Sequence, residues 1–143
     1  VVIACSSAVE QAGCSVEADI ADERCSARVD VQLYERILSN LIENAYKHNP
    51  AGTRILVRCH ENGDYVVVSV LDDGSGIPEA IRAKVFDAFV TENESRSPGK
   101  GTGLGLYVVR RCAELIGASV GFANTAPNPY VTEVDVRIPL ELA

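Results

Sequence analysis

"TRILVRCHENGDYVVVSVLD", residues 53–72, holds two runs rich in β-branched residues on either side of an Asn-Gly step. Asn and Gly enter the left-handed backbone of a tight turn at low cost, so Asn62-Gly63 predicts a hairpin and antiparallel strands. The second run is nearly all apolar, which predicts a central strand. A doubly wound parallel sheet would need a helix between the two runs, and the turn leaves no room for one.

Upstream of the hairpin, "QLYERILSNLIENAYKH" (Gln32–His48) has helical periodicity: Tyr34, Ile37, Leu38, Leu41, Ile42 and Ala45 form one apolar arc. Asp30 suits the N-cap, and Asn49-Pro50 stops the helix. Further upstream, residues 1–13 read as the tail of a helix, and "SVEADIA" and "RCSARVD" as two short strands. Downstream, "DDGSGIP" leads into a short helix from about Pro78 to Phe86, with proline at its first position. Val90 to Gly103 lacks apolar periodicity and predicts a long loop. Leu104 to Ile116 is helical and closed by Gly117, after which "SVGFAN", "TAPNP" and "YVTEVDVRIPL" read as strand, turn and strand. The alternation predicts an α+β chain folded as a layered α/β sandwich.

The 143 residues, 47% of them hydrophobic, are enough for one domain spanning 1–143 with a real core. A net charge of −7 without a basic stripe argues against nucleic acid as a partner. The five cysteines, Cys5, Cys14, Cys25, Cys59 and Cys112, have no C-x-x-C pair, which points away from a disulfide framework or zinc site and toward a reducing, cytoplasmic setting. No run spans a bilayer, so no direct membrane contact by this domain is expected. The chain opens on Val1 without methionine and is expected to be a fragment of a longer protein, any membrane anchor lying outside it.

Four features carry chemistry. Asn40, Asn44 and Lys47 fall on one narrow polar arc of the helix, opposite the apolar one. Asparagine is a poor helix former, and its amide oxygen is a hard ligand suited to Mg²⁺, so with lysine beside it the stripe suits metal-bound phosphate. Asp72 ends a buried strand, where a carboxylate must find donors or lie at a mouth. Gly74 and Gly76 let the backbone approach a planar ligand closely. Period two places Thr132 with Tyr130, Val134, Val136 and Ile138 on an apolar strand face. The fourth is "GKGTGLGL", Gly99–Leu106, which fits neither Walker A, because Gly101 follows Lys100, nor a dinucleotide fingerprint, because a long polar loop precedes it.

In order, "NLIENAYKH" (Asn40–His48), "DDGSGIP" (Asp72–Pro78), "FDAF" (Phe86–Phe89), "GKGTGLGL" and Thr132 resemble the N box, first glycine box, F box, second glycine box and late threonine of the catalytic ATP-binding domain of bacterial sensor histidine kinases. The resemblance implies the Bergerat fold: a two-layer sandwich whose mixed, mostly antiparallel sheet is covered by helices, with ATP held between sheet, helices and a lid. It implies Asn44 as the Mg²⁺ ligand and Asn40 as a nearby contact to metal or phosphate. Lys47 would reach the phosphates, with His48 beside the nucleotide. Asp72 would accept the adenine amino group, supported by Thr132, with Gly74, Gly76 and Ile77 against the base. Gly101, Thr102, Gly103, Leu104 and Gly105 would form the end of the lid and the entrance of a helix meeting phosphate, with Arg96 and Lys100 as lid contacts to the γ-phosphate. Glu43 resembles an acidic position that polarises an attacking imidazole.

The implied partners are a dimerisation, histidine-phosphotransfer domain of the same protein and a response regulator. "HENGD" from His60 has Asp64 where the family's H-E-x-x-P acceptor has proline, and it reads as a turn. The phosphoacceptor is therefore expected outside this chain. Related readings stay open: an ATP-hydrolysing relative, which would place a glutamate where Asn40 stands; an anti-sigma-type serine kinase; and a non-catalytic nucleotide-binding module.

Overall fold

A computed structural model describes residues 2–20, 29–77, 82, 85–86, 105–123 and 126–140. The elements are α1 (Val2–Gln11), β1 (Ser15–Ile20), α2 (Val31–Lys47), β2 (Arg54–Asn62), β3 (Tyr65–Asp72), α3 (Gly105–Leu115), β4 (Ser119–Phe122) and β5 (Thr132–Pro139). The strands form one sheet in the order β1-β2-β3-β5-β4. β1 runs parallel to β2, and every other pair is antiparallel.

The hairpin forms as the sequence predicts, one residue late. Asn62 is still paired, with Tyr65, so Gly63 and Asp64 make the turn. Gly63 has φ 63°, and a Cβ there would meet nothing within 4 Å, so glycine is required by backbone conformation rather than by space.

Register assigns each strand residue to a face. Val66, Val68, Val70 and Asp72 lie opposite Ile138, Val136, Val134 and Thr132, with Val57 and Ile55 beside Val70 and Asp72 on the other flank. Onto the aliphatic part of this face pack Val9 of α1, the predicted arc of α2 (Ile37, Leu38, Leu41, Ile42, Ala45) and Leu106, Val109, Cys112 and Ala113 of α3. Each fully buried Ile or Leu contributes about 1.5–3 kcal/mol. Tyr34 is half-buried at the rim of the arc. Asp30 caps α2, its side chain accepting from the Leu33 N–H at 3.1 Å. At the far end of α3, Gly117 has φ 75°.

Several expectations differ or fall elsewhere. β5 starts at Thr132 rather than Tyr130, because the Tyr130 N–H turns back to the Pro127 carbonyl at 2.8 Å. Most of "RCSARVD", the loop from Val90 to Gly103, and the helix from Pro78 to Phe86 apart from Arg82, Val85 and Phe86 lie outside the described residues. Cys5, Cys14, Cys59 and Cys112 form no disulfide among the described residues. Among the described residues no helix is long and apolar enough to cross a membrane.

The opposite face of the sheet carries a charged cluster at its centre. Ser69 Oγ donates to Asp135 Oδ1 at 2.6 Å, and Arg58 Nη2 lies 3.6 Å from Glu133 Oε1. Burial, followed by the hydrogen bond and charge of Asp135, pushes Glu133 up to about 7 from its ordinary 4.5. A carboxyl raised on folding stabilises most below its unfolded value, and that stability is lost as pH rises through about 7. Glu133→Gln is therefore expected to raise the melting temperature by about 2–5 °C at pH 8 and hardly at all at pH 5. Thermal melts at the two pH values check this; an equal shift at both would show that ionisation is not the cause.

Candidate functional site

The site is built at one end of β3. Asp72, the last residue of that strand, lies directly opposite Thr132, the first of β5, so both side chains project from the helix-covered face. They are 7% and 6% exposed. Asp72 Oδ1 accepts from the Gly74 N–H at 3.0 Å and from Asn49 Nδ2 at 3.3 Å. Burial raises Asp72 to about 6 from 3.8, against the opposing pull of those donors and with a further push from Asp73. Thr132 Oγ1 is buried without a hydrogen-bond partner among the described residues. An unpaired buried hydroxyl costs about 1–3 kcal/mol, so its place beside a desolvated carboxylate would suit a polar ligand edge.

The neighbouring aspartate behaves oppositely. Burial raises Asp73 too, but the Arg54 N–H at 2.6 Å and Arg54 Nε at 2.8 Å outweigh it and hold Asp73 below its ordinary value. Asp73 thus braces the mouth of the sheet while Asp72 faces inward.

The glycines of "DDGSGIP" answer two different demands. A Cβ on Gly74 would lie 2.1 Å from Asn49 Oδ1, so the space above it belongs to Asn49 rather than to a base. Gly76 has φ 80°, and a Cβ there would press on Val131 Cγ1 at 3.0 Å and stand 4.0 Å from Thr132 Oγ1. Only glycine holds that conformation cheaply beside the unpaired hydroxyl. Ile77 is half-buried against the core. Its carbonyl accepts from Arg82 Nε at 3.1 Å, and the Arg82 guanidinium sits 6.0 Å over the ring of Phe122, which packs on Phe86 at 5.3 Å.

On α2, Asn40 and Asn44 are half-buried, while Lys47 and His48 are exposed. Lys47 Nζ donates to Glu43, one turn earlier, and that hydrogen bond raises the lysine above its ordinary value. Such an exposed i,i+4 pair is worth only about 0.3–0.5 kcal/mol, so an incoming phosphate competes easily for the lysine. His48 caps the helix, its N–H donating to the Asn44 carbonyl at 3.3 Å. Gly105 opens α3 and is exposed. Arg96, Lys100, Gly101, Thr102, Gly103 and Leu104 lie outside the described residues.

Sequence reasoning misses Asn49, which in the sequence alone only ends α2. The signal available was an amide one residue past the helix cap, followed by a glycine two residues past a buried aspartate. Among the described residues no three His, Cys, Asp or Glu side chains gather as a metal cage. The amide oxygens of Asn40 and Asn44 are of a kind that would suit a hard cation drawing its remaining ligands from phosphate oxygens and water. The buried carboxylate and hydroxyl, bordered by Gly76, would suit the amino edge of a purine.

Solved structures share this architecture. Full-length ShkA in complex with AMPPNP matches with a TM-score of 0.81 at 25% identity, over 99% of this chain and 29% of that one. The catalytic domain of the histidine kinase ThkA matches with 0.80 at 23% identity, over 96% of this chain and 86% of that one. The fold, α+β with a mixed five-stranded sheet, is that of histidine kinase catalytic domains. Residues 29–142 match the histidine kinase-, DNA gyrase B- and HSP90-like ATPase family, and the chain belongs to that family. The sensor histidine kinase TmoS of Ectopseudomonas mendocina is 41% identical over 118 residues, 80% of this chain and 12% of TmoS. The sensor protein GtcS of Aneurinibacillus migulanus is 29% identical over 138 residues, 91% of this chain and 37% of GtcS. The chain thus spans well under half the length of these relatives.

Proposed function

We propose that this chain is the catalytic domain of a sensor histidine kinase. It binds Mg-ATP and presents the γ-phosphate to a histidine on a dimerisation domain elsewhere in the same protein, for relay to a response regulator. The observation that carries the reading is the buried carboxylate of Asp72 facing the unpaired hydroxyl of Thr132. Asp72 accepts the 6-amino group of adenine, Thr132 supports that edge, and Gly76 and Ile77 line the base. Asn44 would hold Mg²⁺, with Asn40 beside it, Lys47 on the phosphates and His48 at the nucleotide's flank. The metal ion, when bound, supplies charge neutralisation on the transferring phosphoryl group. Positioning does most of the remaining work.

Glu43, paired to Lys47 here, would be released to polarise the attacking imidazole when phosphate takes the lysine. Arg96 and Lys100, with the second glycine box from Gly101 to Gly105, would close over the phosphates. The domain works in the cytoplasm, within a membrane-anchored parent.

The test is made with the chain alone and with the full-length parent. The chain alone is expected to bind ATP without steady-state hydrolysis, and the parent to yield an acid-labile phosphohistidine. Efficient turnover by the chain alone would replace this reading with an ATPase, and an acid-stable product would replace it with a serine kinase.

A further inference from the structure

We propose that Asn49 is the positioning residue that gives this pocket its choice of base, holding Asp72 in the one orientation that leaves an oxygen open to an amino group. The inference rests on the nucleotide-binding reading above and adds to it a residue that determines specificity.

Asn49 makes three hydrogen bonds to three different segments. Nδ2 donates to the Ala45 carbonyl at 2.7 Å, satisfying an orphan acceptor at the end of α2, and to Asp72 Oδ1 at 3.3 Å. Oδ1 accepts from the Ser75 N–H at 2.9 Å. These partners fix which end of the amide is which: a flipped side chain would set its oxygen against a carbonyl and a carboxylate, and its NH₂ against an N–H. Since Gly74 also donates to Oδ1, both donors to Asp72 among the described residues converge on that one oxygen.

Oδ2 is thereby left as the acceptor. An ionised carboxylate has only acceptors, so it welcomes the exocyclic amine of adenine and repels the keto oxygen that guanine carries at the same position. A site whose buried acceptor would otherwise go unpaired discriminates strongly against the wrong edge. A rotated Asp72 would lose that geometry, and Asn49, together with the Gly74 N–H, holds it against rotation. Gly74 belongs to the same device, because a Cβ there would overlap the Asn49 amide.

Titration calorimetry with ADP and GDP, from pH 5 to 8.5, tests the proposal on the native chain, Asn49→Ala, Gly74→Ala and the double variant. Asn49→Ala is expected to weaken ADP about tenfold at pH 7.5 and to shrink the ADP-over-GDP preference. It should also shift the acid limb of ADP binding to higher pH, because Asp72 loses one of the donors that favour its ionised form. Gly74→Ala should reproduce these effects by displacing Asn49, and the double variant should lose little more than either single one. An unchanged base preference with an unmoved acid limb in Asn49→Ala would overturn the proposal, whatever happened to stability. So would fully additive losses in the double variant. A native chain that bound neither ADP nor GDP would remove the nucleotide reading together with this inference, whereas equal binding of the two by the native chain, or a full preference surviving Asn49→Ala, would remove this inference alone.

Discussion

Asp72→Asn is expected to melt at a higher temperature than the native chain while binding ADP about 100-fold more weakly, two effects of opposite sign from one atom. The carboxyl sits near pKa 6 in the fold against an ordinary 3.8. At pH 7.5 it is ionised in both states and carries the cost of its burial, of order 3 kcal/mol from a shift of that size. Asparagine keeps the acceptor that faces Gly74 and Asn49 and removes the charge, so much of that cost disappears. In binding, its NH₂ would meet the amino group of adenine donor to donor, forfeiting a charge-assisted hydrogen bond worth about 1.5–3 kcal/mol and leaving buried donors unpaired. Native binding should likewise weaken as pH falls through about 6, where Asp72 takes up its proton. Thermal melts beside calorimetric titrations separate the two effects. A variant that was both less stable and equally competent would show that Asp72 is a structural residue.

Asn44→Asp is expected to cut phosphotransfer in the full-length protein by about 100- to 1000-fold, in the range seen when one electrostatic contact to a reacting centre is lost. The substitution preserves an oxygen donor and the shape of the side chain but adds a negative charge on the stripe proposed to face triphosphate. It also removes the only N–H donors the side chain has. Asn44 is half-buried at the edge of the apolar arc rather than within it, so the fold should survive the substitution, which thermal melts check. Single-turnover assays at saturating Mg-ATP read the loss in the chemical step, and ADP binding without magnesium should stay near native. Undiminished phosphotransfer would exclude Asn44 from the proposed metal site.

Most of the architecture is readable in the sequence because its signals are local. The arc of α2 and the turn near Gly63 each follow from residues within a few positions of one another, and both form where expected to within a residue or two. Asp72 and Thr132 could each be singled out in the same way. Their meeting could not, because 60 positions separate them and only the pairing of β3 with β5 sets them face to face. Asn49 was hidden for a related reason: an asparagine before proline already has an ordinary explanation, and the second one depends on three segments converging. Glu43 and Lys47 stand at ion-pair spacing, and they pair in the fold, although the family resemblance implies a separate role for each. The cluster of Arg58, Ser69, Glu133 and Asp135 draws on three strands, and nothing in any one of them announces it.

The turn at Gly63-Asp64 closes β3 at the end opposite Asp72, eight strand residues away, or roughly 24 Å of extended chain. A Cβ at position 63 would have open space around it, and the Asp64 carbonyl is tied to the Leu140 N–H at 2.7 Å, so the tip is both uncrowded and anchored. The left-handed backbone of Gly63 keeps that position for glycine, so exposed Asp64 beside it is the attachment point for an optical reporter: a dye carried there would sit at the far end of the strand from Asp72 and register motion of other parts against a fixed frame.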